Sequence, residues 1–192
     1  MLCAVTAQCH VEASSWVEIA GAGCQPGYVK LNGTPILDMP QCRFSRSYRG
    51  TQIHLIDPFA CTKIEYRRFD TWLSTDEAER LRDYLDQLDD FSVIVGSMLD
   101  EATRNLAPAH NALLRVGVDL RDLEWKGSFA FVTQKSTNKT VLVKTLNLTL
   151  SGQNPPRVSV MISGMRHKVP IPLPLRKCYL ATPRWGYILQ CS

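Results

Sequence analysis

No uninterrupted apolar run in this 192-residue chain reaches the roughly 18 residues that cross a bilayer as a helix, so no transmembrane segment is expected. The seven cysteines include no Cys-x-x-Cys pair, and His10, His54, His110 and His167 form no pair at helical spacing. Those gaps exclude the usual zinc frameworks, so no metal is expected. There is no Gly-x-Ser-x-Gly elbow, no phosphate-cradling glycine loop and no dinucleotide fingerprint. The expectation is a protein that is not an enzyme and needs no cofactor. Asp89-Asp90 and Asp100-Glu101 are adjacent acids at element ends, where caps and turns are the simpler reading than a catalytic dyad. Net charge is +4 without a concentrated basic stripe, so no nucleic-acid partner is expected. Arg43, Arg46, Arg49, Arg67 and Arg68 come nearest to one and read as solvated arginines on hairpin edges. Met1–Ala7 has neither the basic nor the apolar region of a signal peptide, so the expectation is a segment of a larger secreted chain.

What is present points outside the cytosol. Cys3, Cys9, Cys24, Cys42, Cys61, Cys178 and Cys191 are candidates for disulfides, which persist in an extracellular or secretory-pathway compartment. The odd count leaves one partner over, as a cut chain would. The expected partners for the N-terminal cysteines are Cys178 and Cys191, tying the chain ends to the core. Three sequons, at Asn32, Asn138 and Asn147, agree with secretion. Asn32-Gly33 also reads as a tight hairpin turn, the preferred reading there.

Residues 1–27 read as an irregular lead-in, broken by Gly21, Gly23, Pro26 and Gly27. A domain over 28–139 follows, and 140–192 reads as a β-rich C-terminal extension or part of a neighbouring module. Within the domain, 28–31 and 34–37 form a hairpin, 51–57 and 62–69 are strands, and Asp57-Pro58-Phe59-Ala60 is the turn between them. Ser74 and Glu77 have capping-box spacing, and Ala78, Leu81, Leu85 and Leu88 recur as one helical stripe. Ser92–Met98 reads as a buried strand, 106–116 as a second helix with Pro108 in its first turn, and Ser128–Thr133 as a strand. From Thr140 the pattern alternates as β structure, placing Asn147 on the wetter face.

Arg49-Gly50, Ile53–Ile56, Phe69-Asp70-Thr71-Trp72 and Asp100-Glu101-Ala102-Thr103 stand in one order and spacing. On these residues the chain resembles the ILEI/PANDER-type domain over about residues 28–133. That domain occurs in secreted cytokine-like proteins, in the stem of the protein O-mannose N-acetylglucosaminyltransferase and in some hyaluronidase-related cell-surface proteins. The resemblance implies an α+β fold, two antiparallel β-sheets with helices packed outside, stabilised by disulfides. It also implies a sugar pocket in the glycosyltransferase stem, whose acid matches Asp100 and whose arginine is replaced here by Lys126, with Gly127 in place of the following acid. Lys126 keeps the charge but lacks the bidentate fork.

Function follows as an expectation: a non-enzymatic extracellular recognition module for a glycan or glycoprotein, with Asp100, Lys126 and Trp125 bordering the site. The alternative is a cytokine-like secreted protein acting through a cell-surface receptor. A third reading is a positioning module in a larger secreted protein.

Overall fold

The structure is a computed structural model that describes residues 8–15, 17–19, 23–25, 27–38, 48–89, 92–124, 127–134, 143–149, 156–163, 178–181 and 188–191. The strands are β1 (Gln8–Ser14), β2 (Val17–Ile19), β3 (Gly23–Gln25), β4 (Tyr28–Leu31), β5 (Thr34–Asp38), β6 (Gly50–Asp57) and β7 (Thr62–Phe69). Helix α1 (Thr75–Gln87), strand β8 (Val93–Leu99), helix α2 (His110–Arg115) and strand β9 (Ser128–Gln134) come next. β10 (Val143–Thr149), β11 (Arg157–Ser163), β12 (Cys178–Ala181) and β13 (Ile188–Cys191) complete the order.

A five-stranded antiparallel sheet, β10-β9-β8-β6-β7, lies between two covers. On one face Ile53, Ile94, Met98, Phe129 and Phe131 pack with Ala78, Leu81 and Leu85 of α1 and with Ala112 and Leu113 of α2. On the other, Ile56, Val93, Val95, Ala130 and Val132 meet Cys9, Val11, Ala13, Val29 and Leu31 of a four-stranded sheet, β11-β1-β4-β5. The fold class expected from the sequence is therefore the one observed. Strand side chains alternate between faces, so a strand covered on both sides must be apolar throughout. All seven residues of β8 are buried, matching that rule. Gly96 stands opposite Phe131, whose ring would lie 2.2 Å from an added Cβ, so only glycine admits that ring.

Three differences from the sequence reading have physical causes. Gln8–Ser14, expected to be irregular, is a central strand of the four-stranded sheet, paired with both β4 and β11. Its inward residues Cys9, Val11 and Ala13 are small, and the run gains its β character from its neighbours rather than from bulk. In the part read as an extension, β10 pairs with β9 and β11 with β1, so these two strands complete the sheets. β12 and β13 pair with each other. The capping box of α1 forms by half. Ser74 Oγ accepts from Glu77 N at 3.4 Å, but the Glu77 carboxylate reaches past Ser74 to accept from Asp70 N at 3.1 Å.

The hairpin turn at Asn32-Gly33 is present, and the Asn32 amide oxygen accepts from His10 N at 2.8 Å. Asp57 closes the β6–β7 turn by accepting from Phe59 N and Ala60 N. Cys9 bonds to Cys61 in that turn, not to a C-terminal cysteine, and so ties one sheet to the other. Cys178 and Cys191 stand opposite one another in the β12–β13 ladder. Cys24 lies on β3, while Cys3, Cys42 and Asn138 fall outside the described residues. Asn147 stands opposite Ala130 in the β10–β9 ladder.

Two stability outcomes follow. Leu81→Ala and Leu85→Ala, each at a site at most 1% exposed, should cost roughly 2–5 kcal/mol, read as a lower urea midpoint. An unmoved midpoint would mean that α1 presents another face to the sheet. The Cys9–Cys61 bond closes 52 residues, so Cys9→Ser with Cys61→Ser should cost about 4 kcal/mol in the chain-entropy model. Non-reducing peptide mapping should recover Cys9 joined to Cys61, and recovery of Cys9 on another cysteine would overturn the assignment.

Candidate functional site

The residues that carry the family resemblance converge at one end of the five-stranded sheet, where β6 begins and β7 and β8 end. Arg49, just before β6, forms a two-pronged ion pair with Asp70, just after β7. Nε lies 3.0 Å from one carboxylate oxygen and Nη2 lies 2.9 Å from the other. Both side chains are less than a tenth exposed, at 7% and 8%, so the pair is shielded from water and its hydrogen bonds are the charge compensation. This corrects the reading of Arg49 as a solvated hairpin-edge arginine. Arg67 fits that reading, being exposed and paired with Glu65, whereas Arg68 is half-buried and donates to the Arg49 carbonyl at 3.3 Å. Arg43 and Arg46 lie outside the described residues.

Gly50 explains why the arginine is followed by glycine. Its φ is +108°, and a Cβ there would stand 2.1 Å from the Phe69 carbonyl oxygen. Only glycine lets β6 start this close to the end of β7.

The guanidinium of Arg49 also lies 3.9 Å from the centre of the half-buried Trp72 ring, and that of Arg104 lies 5.2 Å from it. A guanidinium over an indole face is attracted by the ring quadrupole. Arg49 is neutralised by Asp70, whereas Arg104 is exposed and its ring contact is its one interaction among the described residues. The backbone of Trp72 is fixed from the other side. Asn105 Nδ2 donates to the Trp72 carbonyl at 2.7 Å, Asn105 N donates to the Thr71 carbonyl at 3.0 Å, and Thr71 Oγ1 donates to the Ala102 carbonyl at 2.7 Å.

Asp100 caps the end of β8 with φ +64°, in the left-handed region that aspartate tolerates better than most residues. It is half-buried and at the same sheet end, since Gly50 stands opposite Leu99. Glu101 is a buried turn former, its Oε1 accepting from both Thr103 N at 2.7 Å and Thr103 Oγ1 at 2.6 Å. The pairing of Asp100 with Trp125 and Lys126 falls outside the described residues, because those two are not among them. From the sequence, Trp72 is weighed beside Asp100 and Trp125 as an aromatic plate for a sugar, with core packing preferred for it, while Arg104 is passed over as a site residue. The signal was there: the aromatic closing Phe69-Asp70-Thr71-Trp72 sits just past a strand end, and a charged residue follows Asp100-Glu101-Ala102-Thr103.

No group of three or more His, Cys, Asp or Glu with metal-binding geometry occurs among the described residues. No helix among them is long and apolar enough to cross a membrane.

Arg49→Ala should strip the buried Asp70 of its two-pronged partner, leaving the longer contact to Arg68 at 4.0 Å and the hydrogen bond from Leu73 N, and cost up to about 3–5 kcal/mol, whereas Arg104→Ala should move stability by no more than about 0.5 kcal/mol. Urea titration of the two variants separates a clamp from a solvent-facing residue. Equal effects would contradict the division.

Residues 49–137 match the family model described as Interleukin-like EMT inducer, so the resemblance read from the motifs holds over that span. The human cell migration-inducing and hyaluronan-binding protein is 36% identical over 96 residues, and its mouse counterpart is 34% identical over the same length. Each match covers 48% of this chain and 7% of the relative.

Proposed function

We propose that this chain is a non-enzymatic extracellular recognition module whose ligand is a glycan, free or on a glycoprotein. The observation that carries this reading is the half-buried Trp72 ring, immobilised through Arg49 and Asn105, with the exposed Arg104 guanidinium beside it and Asp100 at the same sheet end. An aromatic face covers the C–H surface of a sugar, a carboxylate accepts from hydroxyls, and a guanidinium donates to ring, acyl or carboxylate oxygens. Strand-end loops on a rigid sheet are where such groups collect. The relatives' name, which includes hyaluronan binding, supports a sugar as the ligand class. Lys126, at the position of the arginine in the sugar pocket of the glycosyltransferase stem, and Trp125 are proposed as further ligand contacts, and both lie outside the described residues.

A second reading, a cytokine-like secreted protein acting through a receptor, draws on a different surface. Phe59, Ile64 and Tyr66 are 45%, 66% and 37% exposed around β7, more apolar area than a strand edge needs.

The test is binding of hyaluronan oligosaccharides and of β-linked N-acetylglucosamine glycans to the wild-type chain, Asp100→Asn, Arg104→Ala and Lys126→Ala. The expected outcome is a loss of about tenfold or more in affinity at an unchanged melting temperature. Destabilisation by Asp100→Asn would make that residue a turn former alone. Absence of binding by the wild type to either glycan class would overturn the glycan reading in favour of the receptor.

A further inference from the structure

Away from that site, the seam between the two sheets contains polar groups that no protein atom satisfies. In β6, Ile53 and Leu55 face the helices, and Ile56, beyond a bulge, faces the four-stranded sheet. Alternation puts His54 on the inter-sheet face with Ile56. In β8, Val93 and Val95 face the same seam, which places Ser97 there too. His54 stands opposite Val95, so Ser97 is its diagonal neighbour. His54 is 1% exposed and Ser97 is fully buried, yet neither ring nitrogen of His54 nor the Ser97 hydroxyl has a hydrogen-bond partner within the protein.

The polar groups nearby are committed elsewhere. Gln52 donates to the Tyr48 and Gly50 carbonyls and accepts from the Tyr66 hydroxyl. The Tyr66 ring covers His54 at 4.9 Å between centres, in a tilted arrangement. The four-stranded sheet offers Cys9, Val11, Ala13, Val29 and Leu31, none of which carries a charge. From β7, Lys63 acts on the imidazole and disfavours a second positive charge, and Arg68 acts on Tyr66. A protonated ring would be a cation with no acceptor beside it among the described residues of the closed seam, and parting of the seam brings it to solvent.

We propose that His54 makes the seam between the sheets a proton-sensitive latch, closed while the ring is neutral and opened progressively as the solution is acidified. The Cys9–Cys61 bond pins the seam at the β6–β7 turn, and Ser15 Oγ, which accepts from Met98 N at 2.9 Å and donates to the Phe129 carbonyl, ties it near the start of β6, so the opening lies between these two ties, around His54. Burial first, and Lys63 second, lower the pKa of His54 from 6.5 to about 4 in the closed form. In an opened, hydrated seam the ring returns to its ordinary value. Between pH 6.5 and 4 the open form therefore binds more protons than the closed one, and the opening constant rises as pH falls through that window. The closed form has its full advantage above pH 6.5. From pH 7 to pH 5 the two pKa values give an increase of about 20-fold in the open population.

Amide hydrogen exchange on the oxidised chain tests this, comparing peptides from β6 and β8 at pH 7 and pH 5 after correction for intrinsic exchange rates. The wild type should show the roughly 20-fold rise, Ser97→Ala should retain it, and His54→Gln should be nearly flat. An unchanged corrected rate in the wild type, or the same rise in His54→Gln, overturns the latch. Should His54→Gln fail to fold, NMR titration of the His54 ring in the wild type decides. A midpoint near 4 supports the closed, neutral ring, and one near 6.5 overturns it.

Discussion

Covering the central sheet on both faces is the constraint from which most of this structure follows. β8 and β9 send Ile94, Met98, Phe129 and Phe131 toward the helices and Val93, Val95, Ala130 and Val132 toward the second sheet. An isolated 49–137 segment would contain the helices but not the second cover, which comes from β1, β4, β5 and β11. Residues that flank the matched family segment on both sides thus become parts of one core. The Cys9–Cys61 bond joins the cover to the sheet near its β7 side. The same double burial makes polar side chains in the seam costly, which is why His54 and Ser97 stand out.

With both faces occupied, chemistry is left to the ends and edges of the sheet. The motif residues make one of those ends rigid. Arg49 neutralises Asp70, Gly50 permits the close approach, and Thr71 and Asn105 fasten the loop after β8 to the loop after β7. These contacts are internal, so the motif builds a platform rather than the recognition surface itself. The proposed recognition would fall to groups held by the platform but facing outward, of which Arg104 and the open part of Trp72 are the described examples.

How much of this was legible in the sequence depended on whether the signal was local. α1, its Ser74 cap, the 51–57 and 62–69 strands and the Asp57 turn rest on periodicity and neighbouring hydrogen bonds, and the structure has them where the pattern put them. Gln8–Ser14 was missed because its inward residues are small and its partners lie near residues 30 and 160 in the chain. Arg49 was misread because an arginine paired inside a fold has the same local surroundings as one in water. The Cys9–Cys61 connection joins positions 52 apart, and seven cysteines allow many pairings that spacing does not rank. At the candidate site, Asp100 was legible as the end of an apolar strand. The pairing of Trp72 with two arginines was not, because Arg49, Trp72 and Arg104 are distant in sequence and meet only when β6, β7 and β8 align.

The remaining edge bears on which partner chemistry the molecule favours. β7 is the outermost strand next to β6, and an outermost strand invites pairing with another chain. Here the register shifts at Ile64, leaving it as the extra residue of a bulge, and Lys63, Arg67 and Arg68 place three cations along eight residues. A bulge breaks the even ladder that an added strand needs, and the cations repel a second copy of the same edge. A receptor meeting this edge would therefore dock on the side chains of Phe59, Ile64 and Tyr66 rather than extend the sheet. The Trp72 end carries no such obstruction: its ring is already fixed and Arg104 is exposed, so a small hydroxyl-rich ligand would meet groups that need little ordering. That asymmetry, an edge built to resist strand addition and an end built to hold an aromatic still beside an exposed cation, is the physical reason to place the sugar reading ahead of the receptor reading.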